Sequence, residues 1–85
     1  MPTVHRSRGL RFVIYTDDHS PAHVHAVGAD GEAKIELGAA GGDPTLLWVR
    51  GAMSAAMARH ALAEVRREHP RMLEAWRRIH GGDEA

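Results

Sequence analysis

The sequence predicts an α+β domain: a three- to four-stranded antiparallel sheet followed by two C-terminal helices packed on one of its faces. Three observations predict it. The first half carries short runs of β-branched, aromatic and alternating residues. An Asp-Gly pair sits between two of those runs, which is a hairpin signal. From Ala52 onward the apolar period changes from two to that of a helix.

Taken in order, Leu10 to Tyr15 is bounded by Gly9 and by Asp17 and Asp18, and reads as the first strand. Asp17 to Pro21 has the short polar side chains and the proline of a turn. His23 to Val27 is the second strand. Glu32 to Leu37 alternates polar and apolar, so that Ala33, Ile35 and Leu37 share one face of the third. Between them lies Gly28-Ala29-Asp30-Gly31, so these two strands are expected to be antiparallel neighbours. Gly38 to Pro44 is a Gly-rich connector. Thr45 to Val49 adds a short fourth strand with Trp48 as its core anchor.

In the helical half, Ser54, Met57, Ala58, Ala61, Leu62 and Val65 fall on one face of a helix running from Ala52 to His69. Arg59, His60, Arg66 and Arg67 point away, with Glu64 and Glu68 among them on a solvated face. Pro70 interrupts, because the residue before a proline avoids the helical region. A second helix follows in which Met72, Leu73, Trp76 and Ile79 share a face, and Gly81 and Gly82 stop it. Met53, Met57 and Trp76 are further core candidates. The sheet thus occupies about residues 9–49 and the helices about 52–80 of a single domain spanning 1–85.

Eighty-five residues leave no room for a second fold. A chain of this size is marginally stable alone, and without cysteine it has no disulfide to help, so a metal or a partner is the available supplement. The hydrophobic fraction of 44% and charged fraction of 26% are those of a folded soluble chain. No apolar run reaches the roughly 18 residues of a membrane span, and no apolar segment follows the basic N-terminus as in a signal peptide, so a cytoplasmic protein is expected. Eleven basic residues balance eleven acidic ones, which argues against affinity gained by coating a phosphate backbone. RNA or DNA as a direct ligand is therefore not favoured.

The compositional outlier is histidine, seven in all. Asp-Asp-His-Ser-Pro-Ala-His-Val-His places His23 and His25 two apart, hence on one face of a strand, with Val24 and Ala26 turned to the core. His19 and Asp18 sit at the mouth of that strand. Asp18, His19, His23 and His25 are accordingly candidate ligands for a transition metal such as zinc. The same histidines are also candidates for acid and base catalysis on a phosphodiester, since imidazole exchanges protons near neutral pH, with Arg8 or Arg11 offsetting the developing charge. A third reading leaves them as ordinary polar residues on a solvated strand. His5 to Arg11 is the densest basic stretch, read as a mobile arm or a phosphate clamp.

The opening Met-Pro-Thr-Val, the strand Gly9 to Tyr15 and Asp18-His19-Ser20-Pro21-Ala22-His23-Val24-His25 together resemble the bacterial domain-of-unknown-function 4160 family. Lys34 to Leu37, Arg50 to Glu68 and Leu73 to Trp76 extend the likeness over nearly the whole chain. The chain departs from the family's habit at Ala22, where a second proline is common, and at Val24, where an aromatic is common. The resemblance implies no chemistry, but genes of this family often neighbour those of another short family, domain of unknown function 2442, in arrangements like toxin–antitoxin operons. It thereby implies a small protein partner encoded nearby and one half of a toxin–antitoxin-like pair. Within such a pair the His19, His23, His25 surface with Arg11 is expected to act as a ribonuclease-type site, a metal-sensing module, or a non-enzymatic interaction surface. A homo-oligomer is left open.

Overall fold

The computed structural model describes residues 3–81; Met1, Pro2 and Gly82 of the motifs above lie outside the described residues. Five strands form one sheet in the order of the chain, β1 (Thr3–Ser7), β2 (Leu10–Val13), β3 (His23–Val27), β4 (Gly31–Glu36) and β5 (Thr45–Gly51), every neighbouring pair antiparallel. Two helices follow, α1 (Ala55–Arg67) and α2 (His69–His80). The α+β class and the two C-terminal helices agree with expectation; the strand count is higher by one or two. The additional strand is β1. Its His-Arg-Ser sequence reads as polar and mobile, yet Arg8 and Gly9 turn the chain in left-handed conformations (φ 52 and 81) and bring it back alongside β2. The supposed basic arm is an edge strand.

One sheet face supplies Leu10, Phe12, Ile14, Val24, Ala26, Ala33, Ile35 and Leu37 to the core, and the helices supply Ala61, Val65, Met72, Leu73, Ala75 and Trp76. The alternation read in β3 and β4 is therefore the alternation of the sheet. β5 breaks it. Lys34 pairs with Trp48 but Ile35 pairs with Leu46, so Leu47 is an extra residue that reverses the side-chain phase. Leu46 goes to the core, whereas Trp48 lies on the other face, its ring centroid 6.1 Å from that of His25. This corrects the expectation that Trp48 anchors the core.

The helices begin and end where side chains satisfy their free backbone groups. Ser54 caps α1 by accepting the Met57 N–H at 3.0 Å, so the helix begins at Ala55, three residues later than the period suggested. Pro70 falls in the first turn of α2, where its missing N–H costs nothing, so α2 starts at His69 rather than after the proline. Gly81 closes it at φ 90. His69 is buried and its Nε2 meets the Leu37 carbonyl at 2.6 Å, tying α2 to the end of β4.

Glu64 is the second correction, since it is buried rather than part of a solvated face. Its Oε1 accepts from His5 Nε2 at 2.8 Å, and Arg67 Nη2 reaches both of its oxygens at 3.0 and 3.1 Å. His60 likewise turns back to meet Ser7 Oγ at 3.1 Å, so β1 is held to α1 twice. The hydrogen bond from His5, with Arg67 beside it, holds the Glu64 carboxyl below its ordinary range, against the opposing effect of burial. A depressed carboxylate pKa stabilises the fold above the unfolded-state value and loses that contribution as pH falls through the native one. Urea midpoints measured with chelator at about pH 6 and about pH 3 should accordingly fall further for the wild type than for Glu64→Gln. Equal falls would remove Glu64 from the acid sensitivity.

Candidate functional site

The connection between β2 and β3 shares one cavity with His23 and His25 and is organised by one carboxylate. Asp18 Oδ2 accepts the Tyr15 N–H at 3.0 Å, and the Asp18 N–H returns to the Tyr15 carbonyl at 3.1 Å. The Ser20–Pro21 bond is cis, and the chain then enters β3 at His23. Because β3 alternates, Val24 and Ala26 are fully buried in the core while His23 and His25 share the other face, as their spacing predicts. Both imidazoles are nevertheless nearly buried, at 5% and 8% exposure.

Their orientation is fixed from behind. His23 Nδ1 lies 2.8 Å from the Pro21 carbonyl, and His25 Nδ1 lies 2.8 Å from Glu32 Oε2. A backbone carbonyl and a carboxylate only accept, so each Nδ1 carries a proton and each ring turns its Nε2 forward. Those two atoms converge on Asp18 Oδ2, at 3.3 Å from His23 and 3.6 Å from His25. Ligand atoms of Asp18, His23 and His25 all lie within 4.8 Å of one another. His25 Nε2 is buried and has no hydrogen-bond partner.

Two imidazole nitrogens and a carboxylate oxygen thus converge on one point. Burying such a set is unfavourable unless a proton or a cation enters it. Two imidazole nitrogens and one carboxylate, each histidine anchored through its other nitrogen to an oxygen acceptor, is the arrangement in which proteins hold transition metals.

The other sequence candidates are placed less centrally. His19 is exposed and lines the mouth of the cavity above the cluster, outside the converging atoms. Arg11 pairs with Val27 and Val13 with His25, so Arg11 stands one same-face step farther along the sheet and does not line the cavity. Arg8 belongs to the β1–β2 turn, at the end of the sheet away from Asp18. His60 and His69 hold the helices in place, as described above. His80 stacks on Trp76 (centroids 4.0 Å), whose ring in turn lies 5.3 Å from that of His23.

Three residues of the site were not singled out in the sequence. Glu32 anchors His25 and is itself approached by Arg50 Nη2 at 3.4 Å, the Arg50 guanidinium lying 4.6 Å from the centre of the Trp48 ring. Lys34 and Glu36 line the cavity from β4. The hairpin register contained the signal, since Lys34 is the cross-strand partner of His25 and Glu36 of His23.

A family model described as a domain of unknown function, DUF4160, matches residues 9–77. The chain belongs to this family. The DUF4160 match covers β2 to α2 and contains Asp18, His23, His25 and Glu32, while β1 precedes it. No curated protein and no solved structure matches the chain. Among the described residues, no helix is long and apolar enough to cross a membrane.

Proposed function

We propose that this DUF4160 domain is a transition-metal-binding module in which Asp18, His23 and His25 are the protein ligands and zinc(II) is the first candidate ion. One observation carries the reading. The Nδ1 of each histidine is committed to an oxygen acceptor, so both Nε2 atoms turn to the Asp18 carboxylate from rings that are nearly buried. A dication turns that meeting into coordination, and adds stability to a cysteine-free chain of 85 residues. Paired acid–base cleavage of RNA has less support in this geometry. It needs one imidazole to donate while the other accepts, and an arginine beside them, whereas both Nε2 atoms face the same carboxylate oxygen and Arg8 and Arg11 lie outside the cavity.

Elemental mass spectrometry of the untagged protein should find about one equivalent of a transition metal, or the apoprotein should take up one equivalent of added zinc. The His23→Ala/His25→Ala variant should lose it. Ligand present at about 100 times its Kd stabilises by roughly 2.7 kcal/mol, so chelator should lower the wild-type Tm by about 10 °C or more and leave the variant unmoved. Failure of the folded apoprotein to bind zinc, cobalt or nickel would overturn the reading.

A further inference from the structure

Three protein ligands leave coordination positions open, and these face a cavity of about 290 Å³ whose lining includes Asp18, His23 and His25 together with Lys34, Glu36 and Leu47. The chain has a single lysine, and it stands here. Lys34 is directly across from His25 and Glu36 directly across from His23 on the same sheet face, so their side chains start roughly 5 Å from those of the two histidines. Both are half-buried, and among the described residues neither belongs to an ion pair.

A dication and the Lys34 ammonium face the carboxylates of Asp17, Asp18 and Glu36 on the lining of this cavity, so the formal charges there balance to about zero. That balance suits a monoanion better than a phosphate dianion. The cation pair suits the two oxygens of one carboxylate, and Glu36 asks for a donor a short distance away. The volume, at the small end of ligand pockets, suits a metabolite rather than a polymer.

We infer that the site binds a small carboxylic acid carrying a hydroxyl or amino group next to its carboxylate. The carboxylate bridges the metal and Lys34, and the neighbouring donor points to Glu36. This rests on the metal-binding reading above and adds the ligand class to it.

The test uses the full chain loaded with cobalt(II), whose visible absorption reports changes in coordination. Lactate should shift the bands saturably, more tightly than propanoate and than inorganic phosphate. Lys34→Met should weaken lactate binding on the order of tenfold while keeping one cobalt per chain, and Lys34→Arg should recover most of it. Glu36→Gln should narrow the preference for lactate over propanoate, which simple chelation of the metal by the hydroxyl would leave intact. Cobalt bound with bands unmoved by lactate would overturn this inference alone, as would unchanged lactate affinity in Lys34→Met or tighter binding of phosphate. Failure to bind cobalt would instead overturn the metal reading beneath it.

Discussion

Replacing Trp76 by alanine should leave the protein largely unfolded at 37 °C. Trp76 is the largest fully buried side chain, 1% exposed, and lies in the core shared by α2 and the sheet. Truncating a buried tryptophan costs about 3 to 5 kcal/mol, the lost transfer energy plus the cavity left behind. A domain of this length has only about 4 to 13 kcal/mol in total. Because Trp76 also meets the His23 ring at 5.3 Å, the loss is not confined to packing: the imidazole loses the wall on which it leans. Circular dichroism should show a Tm lowered by about 15 °C or more, with partial recovery on adding zinc. Phenylalanine at the same position, which restores most of the volume, should keep the fold. An unchanged Tm in Trp76→Ala would mean that α2 does not cover this core.

Glu32→Gln should keep the fold and weaken metal binding by about 10- to 100-fold, the usual penalty for losing the carboxylate behind a ligating histidine. Glu32 Oε2, 2.8 Å from His25 Nδ1, orients the ring with its Nε2 toward Asp18. Glutamine preserves shape and can still accept through its oxygen, but withdraws the charge. Isothermal titration of the apoprotein with zinc, run beside the wild type, reads the difference directly. Equal affinities would show that His25 takes its orientation from β3 alone. The Arg50 contact should matter much less, because that side chain is exposed and its reach to Glu32 is long at 3.4 Å.

Most of the core and the heart of the site were legible in the sequence because they depend on period. Ala33, Ile35 and Leu37 alternate on β4, and His23 and His25 alternate on β3, so a pattern of two sufficed to face them correctly. Asp18 could be placed at the strand mouth because a turn must precede a strand that begins after Pro21. What escaped depends on register and on tertiary pairing. Leu47 reverses the phase of β5, and nothing local marks it as extra, so the sequence pattern alone puts Trp48 on the wrong face. β1 is stabilised by partners more than fifty residues away, His5 by Glu64 and Ser7 by His60, and its own composition says little about a strand. For the same reason Glu64 read as a surface residue. Glu32 lies diagonally across the hairpin from His25, which the Asp-Gly turn would have revealed once the register was counted. The family resemblance located the motif and left its chemistry to the geometry.

The sheet's strand order also bears on how the molecule is made. Each strand lies beside the one synthesised before it, with no crossover anywhere among the described strands, so every pairing can close as a local hairpin. Such closures take about 1 to 10 μs and carry a small loop entropy. Asp18, His23, His25 and Glu32 all fall between residues 18 and 32, within β3, its preceding loop and the start of β4. The proposed metal-binding segment therefore leaves the ribosome as a unit, well before Trp76 is available to back it. An ion captured at that stage would bias the nascent hairpin toward its native register and give the two helices a finished surface on which to dock.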